Sequence, residues 1–327
     1  MNQKLLMALI ASGGTTVQKL MAANMDVSCL RTNASLQNDE WKAMDSTVIQ
    51  DAQDRLVGVA DIRGRGLVYA VANGMGKTIL ESENISDMND ADVTMDGQTR
   101  TDDDTVNYEL VGLPLPIYAK RFSLNARKLA ASRNSGEALD TTQAGLSGRK
   151  VADLEENTLF NGYNSFKFGG YYIYGYTDYP SRNTYTIAVT WTSATGAQII
   201  TDVIAMKALA LAEKRFGPFV MYIPSNYETV MDKDYNASGQ SLMTIRDRIL
   251  RVGGIEGIKV SDKLSANNVV LVQMTADNVR IVDGLPLTTV EWSSQGQMVF
   301  HFQVMTIAVP QMRTDQSGNS GIVHGSV

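Results

Sequence analysis

The sequence predicts an α+β chain assembled from unlike parts, and three stretches carry that prediction. "LDTTQAGLSGRKVADLEENTLFNG", residues 139–162, reads as one long helix with a start and a stop signal. Residues 67–116 read as two strands parted by a long polar stretch, and from Ala194 onward helical and strand textures alternate in a compact α/β unit.

At the amino terminus, "MNQKLLMALIASGG" pairs a lysine with a short apolar run. The run is brief and no small-x-small cleavage site follows, so residues 1–37 read as an amphipathic helix or arm that is retained. The next stretch, from Asn38 to Val57, reads as a helix capped by Asn38 or Asp39, with Trp41, Met44, Val48, Ile49 and Leu56 on one side. It ends in "GVADIRGRG", expected as a glycine-rich turn carrying Arg63 and Arg65. Then come the strand textures "LVYAVANGMGKTILESENI" and "VNYELVGLPLPI". Between them, "SDMNDADVTMDGQTRTDDDT" has no apolar cluster to anchor it to a core, so the economical picture is a long hairpin with a bare, solvated acidic tip. A hairpin alone in water is marginal, so its support must lie outside its own domain.

In the long helix, Asp140, Thr141 and Thr142 supply cap acceptors, and Asn161-Gly162 supplies the stop. Ala144, Gly148, Val151, Leu154 and Leu159 form one narrow apolar stripe, while Arg149, Lys150, Asp153, Glu155 and Glu156 charge the remaining faces. Taken alone, the stretch fits a surface helix of a globular domain. The tyrosine- and glycine-rich "YNSFKFGGYYIYGYTDYPSRNTYT" follows; with only Lys167 and Arg182 for charge, packing or a protein interface is favoured over nucleic-acid stacking. Beyond Ala194 come a strong helix in "ATGAQIITDVIAMKALALAEKRFG", a buried strand in "PFVMYIPS", shorter helices in "NYETVMDKDY" and "SLMTIRDRILRV", and strands in "GIKVSDKL" and "NNVVLVQM". "VRIVDGLPLTTVEW" and "QMVFHFQVMTIAVPQM" return to strand texture, and the polar tail "RTDQSGNSGIVHGSV" is expected to be loose.

Composition and motifs exclude several function classes. The chain has 327 residues with 44% apolar content, normal for a folded protein, and a single cysteine, Cys29, which rules out an intramolecular disulfide. A net charge of −6 argues against a broad phosphate-gripping surface. It does not argue against enclosing nucleic acid. "NGMGKT" lacks the first glycine of a phosphate-binding loop, since position 71 is Val71. "DMNDADVTMDGQ" imitates a calcium loop but has Asp92 where glycine is needed and Gln98 where a bidentate glutamate is needed. His301 and His324, with one cysteine, cannot build a Cys/His zinc site, and no serine, histidine and acid stand in a defensible catalytic order. No catalytic residue, cofactor or metal is expected, and no stretch is long and apolar enough to span a bilayer.

The order of the pieces, with "LPLPIYAKRFSLNARKLAASRNSGEALDTTQAGLSGRKVADLEENTLFNG" as its most specific passage, resembles the major capsid proteins of tailed bacteriophages. Their fold is the Johnson, or HK-ninety-seven-like, fold, and the branch is the one closest to encapsulin shell proteins. The resemblance runs from about Leu30 to Met312. It implies an N-terminal arm (1–37), a helix and turn (38–66), an extended loop (67–116), a peripheral domain with the long helix as its spine (117–193 and 276–312), an axial domain (194–275) and a polar tail (313–327). It implies assembly into an icosahedral shell of hexamers and pentamers around double-stranded DNA, with portal and possibly scaffolding or decoration partners. Such a virion capsid would be put together in the bacterial host cytoplasm.

Under that resemblance Arg127, Lys128, Arg133, Glu155 and Glu156 are candidates for intersubunit ion pairs. Lys77, Glu81 and Glu83 on the loop, with Arg63 and Arg65 at its root, are further interface candidates. Some shells of this fold are stitched by lysine-to-asparagine isopeptide bonds near a glutamate; Lys77 is placed on the loop, but no asparagine or glutamate partner is identified. An encapsulin-type compartment enclosing an enzyme shares the fold and remains open as an alternative. So, more remotely, does a soluble α/β enzyme built on the unit after Ala194.

Overall fold

The structure, a computed structural model, describes residues 38–53, 56–85, 95, 108–127, 141–235, 243–294, 298–315 and 317–327. The expected N-terminal arm and the tip of the hairpin lie outside the described residues apart from Met95.

Chain order begins with α1 (Asn38–Gln53), α2 (Gly58–Gly64), β1 (Val68–Ala70), a 3-10 turn at Gly74–Gly76, β2 (Ile79–Ile85), β3 (Tyr108–Pro114), β4 (Tyr118–Asn125) and the long helix α3 (Thr142–Asn161). The short ribbon β5 (Lys167–Phe168) and β6 (Tyr171–Tyr172) follows, then β7 (Asn183–Thr186), α4 (Gly196–Ala212), β8 (Phe219–Pro224), α5 (Ser225–Met231), α6 (Ile245–Leu250), β9 (Ile255–Ser261) and β10 (Asn268–Gln273). Two long strands, β11 (Val279–Ser294) and β12 (Val299–Met312), precede the terminal β13 (Ile322–Ser326).

Two sheets organise the molecule. A four-stranded sheet runs β1-β11-β12-β4, and a five-stranded sheet runs β7-β13-β10-β8-β9. The pleat sends alternate residues of the five-stranded sheet to opposite cores. Phe219, Met221, Ile223, Val269, Leu271 and Val323 face the core beneath α4, α5 and α6. Val220, Tyr222, Val270, Val272 and Ile322 face a second core shared with α2, the end of α3 and β11. All six residues of β8 are therefore buried, as in a strand covered on both faces. Helix α4 is held at its start by a complete capping box, Thr195 with Gln198.

The spine helix α3 lies against α1 on one side and the four-stranded sheet on the other. Met44, Val48, Ala144, Val151, Tyr118, Leu124, Phe302 and Val304 make that core. The sequence reading of α3 as a rod with one thin apolar stripe needs correction: Gly145, Ser147, Ala152, Glu155, Glu156, Thr158 and Phe160 are buried as well. Small residues do this by letting the helices touch, since a Cβ on Gly148 would sit 2.7 Å from the backbone carbonyl oxygen of Val48. Thr141 occupies the N-cap position without a side-chain cap bond, and Asp140 lies outside the described residues. The stop is as read, with Gly162 at φ 68° and its amide donating to the Thr158 carbonyl.

Two further expectations are overturned. "GVADIRG" is a helix, not a turn, with Gly58, Val59 and Ile62 buried. The tail is not loose: β13 is an inner strand, antiparallel to β10 and parallel to β7. Its Ile322 and Val323 are fully buried. His324 there is pushed from 6.5 down to about 4, by burial first and by Arg182 second, so it stays neutral.

Candidate functional site

Helix α2 ties the spine helix to both sheets. Its first two amides, Gly58 and Val59, donate to the two carboxylate oxygens of Glu156 at 2.6 and 3.1 Å. This carboxylate, fully buried on α3, thereby supplies a cap from 98 residues away in sequence. One residue earlier on α3, Glu155 accepts from Arg63 at 2.7 Å, and the same guanidinium reaches Asp283 of β11 at 3.1 Å. Asp61 turns the other way: Lys259 of β9 lies 2.8 Å from it, and the Tyr222 hydroxyl donates to it at 3.0 Å. Arg65 completes the set with Glu256 at 2.7 Å. The seven-residue helix α2, with Arg65 just after it, thus joins α3, β11, β8 and β9 around an apolar centre of Val59, Ile62, Leu159 and Phe160.

The buried part of this knot is short of positive charge. Arg63 serves both Glu155 and Asp283, while Glu156 has only amides. Burial, only partly offset by Arg63, pushes the Glu155 carboxyl from 4.5 up to about 7. Burial also raises Glu156, against the pull of the α2 amides. A carboxyl whose folded pKa is raised binds its proton more tightly folded than unfolded, so its contribution is complete below 4.5 and is lost as pH climbs toward 7. The thermal midpoint of the wild type should therefore fall relative to that of Glu155→Gln between about pH 4.5 and 7. Parallel melting profiles across that window would contradict the assignment.

The second feature is the ribbon β2–β3. Its root is fixed on both faces. Leu113 and Leu115 enter a core with Val282, Leu285 and Ile307. On the other face Gly112 lies so close to the Tyr171 ring that a Cβ there would overlap it. Beyond the root the ribbon is bare: Tyr108 is 64% and Leu110 51% exposed. Large apolar side chains on a two-stranded ribbon with no third layer are a surface awaiting a partner.

The third feature is the outer face of the four-stranded sheet, opposite α3. Arg121 lies over the Trp292 ring at 5.3 Å and donates to Gln303 at 2.7 Å; Trp292 in turn stacks on His301 at 5.5 Å. A cavity of about 320 Å³ opens beside them, lined by Met75, Ile117, Val290 and Met305 among others.

A family described as "Family of unknown function (DUF6260)" matches residues 31–325. The chain belongs to DUF6260. Solved structures give this DUF6260 chain its fold. The virus-like particle from Pyrococcus furiosus is 16% identical, with 86% of this chain and 98% of that one covered, at TM-score 0.61. The capsid of Myoviridae phage XM1 is 12% identical over 83% of this chain and 92% of that one, at TM-score 0.62. The capsid of a native GTA particle is 12% identical over 92% and 98%, at TM-score 0.59. The DUF6260 chain has the Johnson, HK-ninety-seven-like fold of capsid shell proteins, as the order of its sequence pieces predicts.

Within that fold the sequence-derived candidates separate. Lys77, Glu81, Glu83 and Arg127 are exposed, whereas Lys128 and Arg133 lie outside the described residues. Glu155 and Glu156 are corrected: they are 4% and 0% exposed and bound to Arg63 and the α2 amides of their own chain, so they are not surface charges for a neighbour. Arg63 is likewise bound within the chain, and Arg65 bridges to Glu256 and Asp61. Asp61, Asp283, Lys259 and the Arg121–Trp292 pair escaped the sequence reading. Only the isolated lysine-arginine pair on an otherwise alternating strand, Lys120-Arg121, could have signalled the last of these. Among the described residues no group of three His, Cys, Asp or Glu is placed to hold a metal ion, and no helix is long and apolar enough to cross a membrane.

Proposed function

We propose that this DUF6260 chain is a major capsid protein that assembles with copies of itself, as hexamers and pentamers, into an icosahedral shell around phage double-stranded DNA. The observation that carries the reading is the β2–β3 ribbon, anchored at its root and bare beyond it, in a chain with a capsid fold. In the shell that ribbon is the extended loop of 67–116 and lies on an adjacent subunit. The unit 194–275 forms the axial domain, and α3 with the four-stranded sheet forms the peripheral one. Each contact is modest, but a subunit held by several neighbours at once gains effective concentration at every further contact. The function is then assembly rather than catalysis, with portal and scaffolding or decoration proteins as further partners in a virion built in the host cytoplasm.

A compartment shell enclosing protein is the second reading. The Pyrococcus furiosus particle, at TM-score 0.61, supports it as well as the phage XM1 and GTA capsids, at 0.62 and 0.59, support the first. Electron microscopy of particles purified from the native source, followed by analysis of their contents, decides. Closed shells holding nuclease-protected DNA of defined length support the capsid reading; shells holding one protein cargo and no DNA support the second. Purified protein that forms no closed particle rejects both.

A further inference from the structure

Charge is segregated along this chain. Residues 79–114 hold ten carboxylates and one arginine, a net charge of −9, which leaves the rest of the chain with 28 cations and 25 carboxylates, a net of +3. Directly after the acidic ribbon, 117–136 carries five cations, Lys120, Arg121, Arg127, Lys128 and Arg133, and no carboxylate. The first two stand on β4, an edge strand of the four-stranded sheet. Among the described residues, none of Lys120, Arg121, Glu81, Glu83 and Glu109 takes part in an ion pair. Opposite charges that sit close to each other in sequence are thus left unmatched among the described residues.

The chemistry of the two surfaces matches in detail. On the ribbon, Glu83 and Leu110 are directly opposed across the strands and share one face, a carboxylate beside an exposed apolar side chain. On the sheet, Arg121 stands beside an apolar cavity of about 320 Å³. The chain cannot join them itself. Met75 and Ile117, which line the cavity, flank the roots of the ribbon, and β2 then runs seven residues outward, roughly 23 Å at strand rise.

Resting on the shell reading above, we propose that Arg121 and the cavity beside it are the seat for Glu83 and Leu110 of a second copy's ribbon. The contact is head-to-tail: ribbon of one copy on sheet of the next. Repeated with rotation, such a contact closes into a ring. Desolvating a planar guanidinium already stacked on Trp292 against a carboxylate gives this contact its orientation as well as its strength.

The test is a charge swap read by assembly. Glu81→Lys/Glu83→Lys on the ribbon and Arg121→Glu on the sheet should each raise the concentration needed for assembly by about tenfold or more, and the variant carrying both sets should recover most of that loss. Leu110→Ala, which leaves charge untouched, should raise it by about tenfold through the cavity alone. All four positions are exposed, so unchanged circular dichroism and thermal midpoints show that the folds are intact. Single-sided reversals that assemble like the wild type overturn the seat, as does a combined variant no better than either parent. A wild-type chain that never assembles overturns the shell reading instead.

Discussion

Arg63→Ala is expected to destabilise the folded chain by about 3–5 kcal/mol, because it leaves two carboxylates without their shared cation inside the protein. Glu155 is 4% exposed and Asp283 is close to it, both held by one guanidinium at 2.7 and 3.1 Å. Removing the guanidinium turns a near-balanced trio into adjacent like charges in a poorly solvated site. Part of the cost can be relieved by protonation, and Glu155 is the group to take the proton, since burial already lifts it to about 7. The loss measured by denaturant unfolding should therefore be larger at pH 8 than at pH 5. Arg63→Lys should recover only part: a single guanidinium nitrogen serves both carboxylates, which an ammonium can imitate, but the ammonium is more strongly hydrated and costs more to bury. A cost under 1 kcal/mol at both pH values would show that the knot does not hold α2 to α3.

Phe160→Ala should cost a similar amount, about 3–5 kcal/mol, by opening a cavity where α3 meets the five-stranded sheet. Phe160 is fully buried, edge-on to Tyr176 at 5.6 Å and to Tyr222 at 5.2 Å. The neighbours cannot close in, because Gly58 of α2 already sits against Phe160 and Leu159, where an added Cβ would lie 2.8 Å from the Leu159 side chain. Phe160→Leu should recover more than half of the loss by refilling most of the volume. Equal unfolding midpoints for wild type and Phe160→Ala would refute the packing described. Phe160 and Arg63 brace the same junction, so the double variant should deviate from additivity.

Where sequence reading succeeded, the signal was local and periodic. Helix α4 has a capping box and an apolar face in one continuous window, and β11 and β12 are runs of sixteen and fourteen residues rich in β-branched and apolar side chains. It failed where distant residues decide. "GVADIRG" is bounded by glycines and reads as a turn, yet it is helical because Glu156 caps it and Ile62 buries beneath it. The carboxylates on α3 read as solvated because charge ordinarily marks solvent; Arg63, whose position relative to them no periodicity reveals, reverses that. The last strand shows only Ile322 and Val323 between glycines, too short a run for any window, and it becomes an inner strand because β7 and β10 leave a gap for it. The candidate site was half legible. A strand pair with a bare middle announced an unsupported ribbon, but the seat proposed for it combines β4, β11 and β12 and the turn before β2, which only folding brings together.

The central claim is that one copy of this chain is an incomplete structure whose missing contacts come from other copies. Light scattering during size exclusion of the purified full-length protein tests it most directly. The account predicts particles on the order of megadaltons with a narrow mass distribution. A single species at 35.7 kDa that stays monomeric at high concentration would contradict it.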